Sequence, residues 1–131
     1  MKGYHDDIET VTEANDKFRK VLYTGHKLQL VLMSLRPGEE IGAETHDDRD
    51  QFFRFEAGSG EVDIDDTTYA VKADDAVIVP QGACHNVRNT GGEPLKMYTL
   101  YGPPEHVDGK VHQTKQDADS DEEHFDGKTT E

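Results

Sequence analysis

From Lys20 onward, short runs of branched and aromatic residues follow one another, each closed by a turn signal. "KVLYTG" and "KLQLVLMSL" lead into "RPGEE", and "EVDIDDTTYAV", "DDAVIVP", "CHNVRN" and "PLKMYTLY" are separated by Asp-Asp, Pro-Gln-Gly and Thr-Gly-Gly. Branched and aromatic side chains fit a pleated, half-buried surface, whereas Gly, Pro and Asp favour turns. Six or more such runs, with no helical stripe between them, predict an all-β sandwich or barrel.

A chain of 131 residues is the size of one ordinary domain. Its organisation reads as an N-terminal arm over 1–19, a barrel over 20–105 and a C-terminal segment over 106–131. The stretch "ETVTEANDKF" has neither a helical stripe nor strict alternation, so the arm is expected to lack regular structure. From Gln116 the chain holds seven acids and one lysine, which predicts a solvated, disordered tail.

The formal charge is -14. Nucleic acids and anionic membrane surfaces require Lys and Arg to neutralise phosphates, so neither is an expected partner; a small molecule is. No run approaches the roughly 20 apolar residues of a membrane helix, and the first ten residues carry no apolar core of a signal peptide, so a cytoplasmic location is expected. The single cysteine, Cys84, is read as inert packing in a strand.

Chemistry concentrates in "AETHDDRDQFF" and "VPQGACHNVRN". Residues two apart on a strand share a face, so Glu44 and His46 can converge on one ion. Gln51 opens the next run; if strands pair across the charged connection, it brings a third donor to the same place. An inward Gln51 implies inward Phe53 and Phe55 as pocket walls, with Phe52 and Arg54 outward. After the turn at Pro80 and Gly82, residues His85, Val87 and Asn89 share a face, which can carry His85 inside. His106 and His112 read as surface loop, with His106 retained as a pocket residue. His5, His26 and His124 read as surface positions.

Gly38, Glu44, His46, Gln51 and Gly58 follow the spacing of the first cupin motif, and Pro80, Gly82, His85 and Asn89 that of the second. The chain therefore resembles a small single-domain cupin, of the kind described as mannose-6-phosphate isomerase-like. The resemblance implies a double-stranded β-helix, or jelly-roll barrel, with Glu44, His46, Gln51 and His85 as metal ligands and Phe53, Phe55, Asn89 and His106 in the substrate pocket. Three departures are present: Glu44 stands where the motif usually has histidine, Gln51 where it has glutamate, and Asp74 where the second motif has its first glycine. Two histidines and one carboxylate suit a divalent Mn, Fe, Ni or Zn ion, with Gln51 either a fourth ligand or a hydrogen-bond partner of a water or substrate. The implied functions are a metal-dependent sugar isomerase, epimerase or lyase, an Fe(II) oxygenase, or a non-enzymatic small-molecule binder. Cupins commonly pair through outer strands, so a homodimer is expected.

Overall fold

A computed structural model describes residues 1–131. In chain order the elements are α1 (Ile8–Ala14), β1 (Arg19–Thr24), β2 (Gln29–Leu35), β3 (Glu44–Thr45), β4 (Asp50–Ala57), β5 (Ser59–Ile64), β6 (Thr67–Lys72), β7 (Ala76–Val79), β8 (Cys84–Arg88), β9 (Leu95–Gly102), β10 (Val111–His112) and α2 (Lys115–Asp119). They form two antiparallel sheets, one ordered β10-β1-β2-β9-β4-β7 and the other β3-β8-β5-β6. This is the all-β architecture that the strand pattern predicts, in the jelly-roll form that the cupin resemblance implies. No helix is long and apolar enough to cross a membrane.

Register along β2, β9 and β4 sorts the interior into layers. Gln29 lies opposite Tyr101, which lies opposite Gln51; the next inward row is Val31, Thr99 and Phe53, and the next Met33, Met97 and Phe55. Leu35 and Leu95 close the far end. All eleven of these side chains are buried. The floor is therefore apolar and the other end of the barrel polar. Burying each large apolar side chain of the floor contributes about 1.5–3 kcal/mol. Along β4, Gln51, Phe53 and Phe55 point inward while Phe52 and Arg54 do not, as alternation requires.

Several turns need left-handed backbone. Gly38, Gly58 and Gly82 have φ of 85°, 86° and 88°, and Asp74 adopts 77° in the place where the motif has glycine. Aspartate tolerates this region better than most residues, and Arg54 Nη2 holds its carboxylate at 3.1 Å.

Four expectations are corrected. The N-terminal arm contains α1, capped by Asp7, whose side chain accepts from the Thr10 N–H at 3.2 Å. This short helix packs on β9 and β4, with Lys96 Nζ reaching the Glu13 carbonyl at 2.6 Å, so tertiary contacts rather than its own pattern hold it. The C-terminal segment is not a free tail. Its acids meet basic side chains: Asp121 lies 2.9 Å from both His112 Nε2 and Lys110 Nζ, and Glu123 lies 3.1 Å from His106 Nδ1. Thr130 N–H donates to the Thr24 carbonyl at 2.9 Å, returning the chain to β1. Third, β3 and β4 do not pair across the charged connection; they lie in different sheets. Fourth, Cys84 is exposed, because alternation on β8 turns His85 inward and its neighbour out.

Gly58 joins β4 to β5 where a Cβ would stand 2.5 Å from the Pro94 carbonyl oxygen and 3.0 Å from Leu95 Cα. Left-handed backbone alone costs a non-glycine residue roughly 1–3 kcal/mol. Gly58→Ala is expected to destabilise the protein by at least that much, read as a lower urea midpoint with an unchanged slope.

Candidate metal centre

Glu44 and His85 come from distant parts of the chain and are brought face to face by the pairing of β3 with β8. His46 follows immediately after β3. One ligand atom from each of Glu44, His46 and His85 lies within 4.8 Å of the others. Glu44 Oε2 stands 3.2 Å from His46 Nε2, and the two imidazoles are 5.4 Å apart between centroids.

The polar atoms here are left short of partners. His85 is 2% exposed, yet neither of its ring nitrogens makes a hydrogen bond of good geometry, and His46 Nε2 also lacks a well-directed one. Buried polar atoms without partners cost free energy, so their clustering in one place calls for a ligand between them. Two imidazole nitrogens and a carboxylate oxygen aimed at one point fit a divalent transition ion.

Electrostatics separate the three groups. Burial pushes the Glu44 carboxyl up, but its close contact with His46, the His46 charge and the more distant Arg19 and His85 outweigh it and hold it below the usual carboxylate range. His46 is raised, first by that contact with Glu44, against the opposing effect of burial and with help from Glu105. His85 is lowered, chiefly by burial. A metal-free site therefore holds one easily protonated and one reluctant imidazole.

A second tier orients the ligands. Glu105 Oε2 lies 3.5 Å from His46 Nδ1, which leaves Nε2 for an ion, and Arg49 Nη1 holds the same carboxylate oxygen at 2.5 Å. Gln29 Oε1 accepts from the backbone N–H of Glu105 at 3.1 Å and of His106 at 2.9 Å, fixing that segment against β2. Tyr101 presents an edge to His46 at 6.0 Å, and its hydroxyl lies 3.3 Å from His106 Nε2.

Gln51 points inward from the facing sheet. Its Nε2 donates to Thr99 Oγ1 at 3.0 Å, while Oε1 is buried without a partner. Phe53 walls the site, with its ring 6.1 Å from that of His85. Phe55 does not: it stacks beneath Phe53 at 6.3 Å, in the apolar floor. Asn89 is also misplaced by the sequence reading. Its amide nitrogen donates to the carbonyls of Leu35 and Glu93 at 2.9 and 2.8 Å, and its oxygen accepts from Gly91 N–H at 2.9 Å. It binds backbone at the floor end, where Leu35 lies.

His106 is a buried pocket residue, and burial lowers its pKa against the opposing effect of Glu123. His112, expected on the surface, is 4% exposed and bridges β10 to Asp121. His5, His26 and His124 are solvent-exposed, as expected, and so are Asp47, Asp48 and Asp50 of the charged connection.

Glu105 and Arg19 were not legible as site residues. Glu105 lies beyond both motifs. Arg19 shares the Val21 face at the start of β1, one residue before the apolar run that marks the strand in the sequence.

Replacing a residue that orients a metal ligand typically costs 10–100-fold in affinity. Glu105→Gln is expected to weaken zinc binding by about that factor in chelator competition, with secondary structure unchanged. In metal-free protein, NMR titration is expected to find His46 protonating above, and His85 below, the ordinary histidine value of about 6.5. Glu44→Gln is expected to lower His46. The raised His46 stabilises the metal-free fold at low pH and loses that contribution as pH rises through its pKa; the depressed His85 contributes above its unfolded pKa and loses that contribution as pH falls.

The family model described as "Cupin domain" matches residues 31–101. Bacillus subtilis YrkC is 46% identical over 123 residues, which cover 89% of this chain and 66% of that protein, just under two thirds of its length. Protein L612 of Acanthamoeba polyphaga mimivirus is 34% identical over 112 residues, covering 82% of this chain and 70% of that one. The crystal structure of BH2720 from Bacillus halodurans superposes with a TM-score of 0.90 at 43% identity, covering 92% of this chain and 96% of that one.

Proposed function

The chain belongs to the cupin family, and from that premise we propose that it binds a divalent transition metal through Glu44, His46 and His85 and acts on a small polar metabolite at the mouth of the barrel. The observation that carries this is the convergence of three donors, two of them imidazoles with unpartnered nitrogens, beneath an otherwise polar opening. When bound, such an ion polarises a ligated oxygen or acidifies a ligated water. The reaction class this favours is isomerisation, epimerisation or lyase chemistry at a carbon next to a hydroxyl or carbonyl.

The surrounding residues have distinct tasks. The unpartnered Gln51 Oε1 completes the donor set or accepts a hydrogen bond from a ligand hydroxyl. The Tyr101 phenol is pushed well above its ordinary pKa by burial, so it stays protonated and serves as a donor. Phe53 and the layer beneath it exclude water from the inner side of the site.

Two histidines with one carboxylate also form the donor set of non-haem iron oxygenases, which favours a second reading. Plasma mass spectrometry on protein purified without chelators is expected to find about one transition metal per chain, lost in His85→Ala and in a Glu44→Gln, His46→Ala double variant. Oxygen uptake dependent on added Fe(II) would favour the oxygenase; metal-dependent turnover of hydroxy or oxo compounds without oxygen would favour the isomerase or lyase. Failure of the protein to take up metal after loading with Mn, Fe, Ni or Zn would sink both.

A further inference from the structure

Arg19 is 7% exposed and its guanidinium forms no ion pair. Its one hydrogen-bonding contact places Nη1 3.1 Å from His112 Nδ1, and its Nε has no partner at all. Cζ stands 5.3 Å from the centre of the Phe18 ring. A buried cation without a carboxylate is expensive, and folded proteins rarely keep one without use.

No carboxylate lies within ion-pair distance of it, and three of those nearby are engaged elsewhere. Asp121 is taken by His112 and Lys110, Glu123 by His106, and Glu105 by Arg49. His112 fixes the arrangement. Its Nε2–H donates to Asp121, so its Nδ1 lone pair accepts from Arg19, and the β1–β10 pairing sets Arg19 directly opposite it. The guanidinium is thus held in place from one side, with the rest of its fork unpaired.

Arg19 and Glu44 line one cavity of about 260 Å³, with His106 and His112 on its wall; five further acids also line it, and Arg19 is its only Arg or Lys. That is roughly the liquid share of eight waters, enough for a small metabolite. The charge of Arg19 also acts on Glu44 and Tyr101, which places it within electrostatic reach of the metal centre.

We propose that Arg19 anchors the carboxylate of a small hydroxy or oxo acid whose remaining oxygen reaches the site formed by Glu44, His46 and His85. The proposal rests on the metal-site reading and narrows its substrate to carboxylic acids. A guanidinium fork matches a carboxylate in two parallel hydrogen bonds, and an amide of the same shape lacks the charge that strengthens them.

Calorimetry on zinc-loaded protein with lactate against lactamide, and malate against its diamide, tests this. Wild type is expected to prefer the acid of each pair by roughly ten- to hundred-fold, the scale of a hydrogen bond to a charged group. Arg19→Gln and Arg19→Met are expected to bring the acid to the level of its amide while metal content stays at one per chain. No preference in wild type, or a preference that survives both substitutions, overturns the anchor. Should the variants fail to fold, the Arg19 Nε–H signal in wild-type NMR decides: a shift on adding the acid and none with the amide is expected, and no shift with either overturns it. Metal content is measured separately. A chain that takes no zinc overturns the metal reading, and the acid-amide comparison on metal-free protein then still decides the role of Arg19.

Discussion

The register of β9 between β2 and β4 is the constraint on which the rest depends. It sets Gln29, Tyr101 and Gln51 in one row and Met33, Met97 and Phe55 in another. A slip of one residue would turn every inward side chain of a strand outward, removing floor and mouth together. Apolar burial in the floor therefore does more than stabilise the barrel. It secures the register that places polar residues around the opening, and the metal donors hang from the smaller sheet opposite.

The polar end needs covering, since its side chains cannot all satisfy one another. The segment after β9 supplies the cover: Glu105 orients His46, His106 meets Tyr101, and Asp121 and Glu123 reach back to His112 and His106. Gln29, itself in the mouth row, fastens the start of that cover through two backbone N–H groups and the His106 carbonyl. The site is consequently a joint product of the barrel and the returning chain. Loss of the segment would free the ligands' supporting partners even though the three ligands themselves lie within the barrel.

Much of this was legible in the sequence. Short strand-like runs and regular turn signals give the all-β fold, and the resemblance of the two motifs to the cupin pattern implies Glu44, His46 and His85 as converging donors. The left-handed requirement explains why glycines recur at the motif turns, and why aspartate is a workable substitute at position 74. Asn89 shared a face with His85 and so looked like a pocket residue, but strand alternation fixes the face and not the depth. Its place at the floor end comes from backbone carbonyls it captures in Leu35 and Glu93. His112, Glu105 and the acidic tail were unreadable for another reason: their partners lie far off in the chain, and composition records charge without recording which opposite charge it will meet.

Charge links these observations. An acidic chain, at -14 overall, has spare carboxylates on every side, so an arginine that needed only structural neutralisation could readily have found one. Arg19 instead contacts His112, while Asp121 beside it is shared between His112 and Lys110. With neutral imidazoles, the set of Glu44, His46 and His85 carries one negative charge, so a divalent ion leaves the centre near +1. Arg19 is the one Arg or Lys lining the neighbouring cavity, which meets the centre at Glu44 and is otherwise rich in carboxylates. The carboxylate of an acid would give the buried guanidinium a charged partner, whereas a neutral sugar leaves it without one, and that difference is the physical basis of the proposed preference for acids.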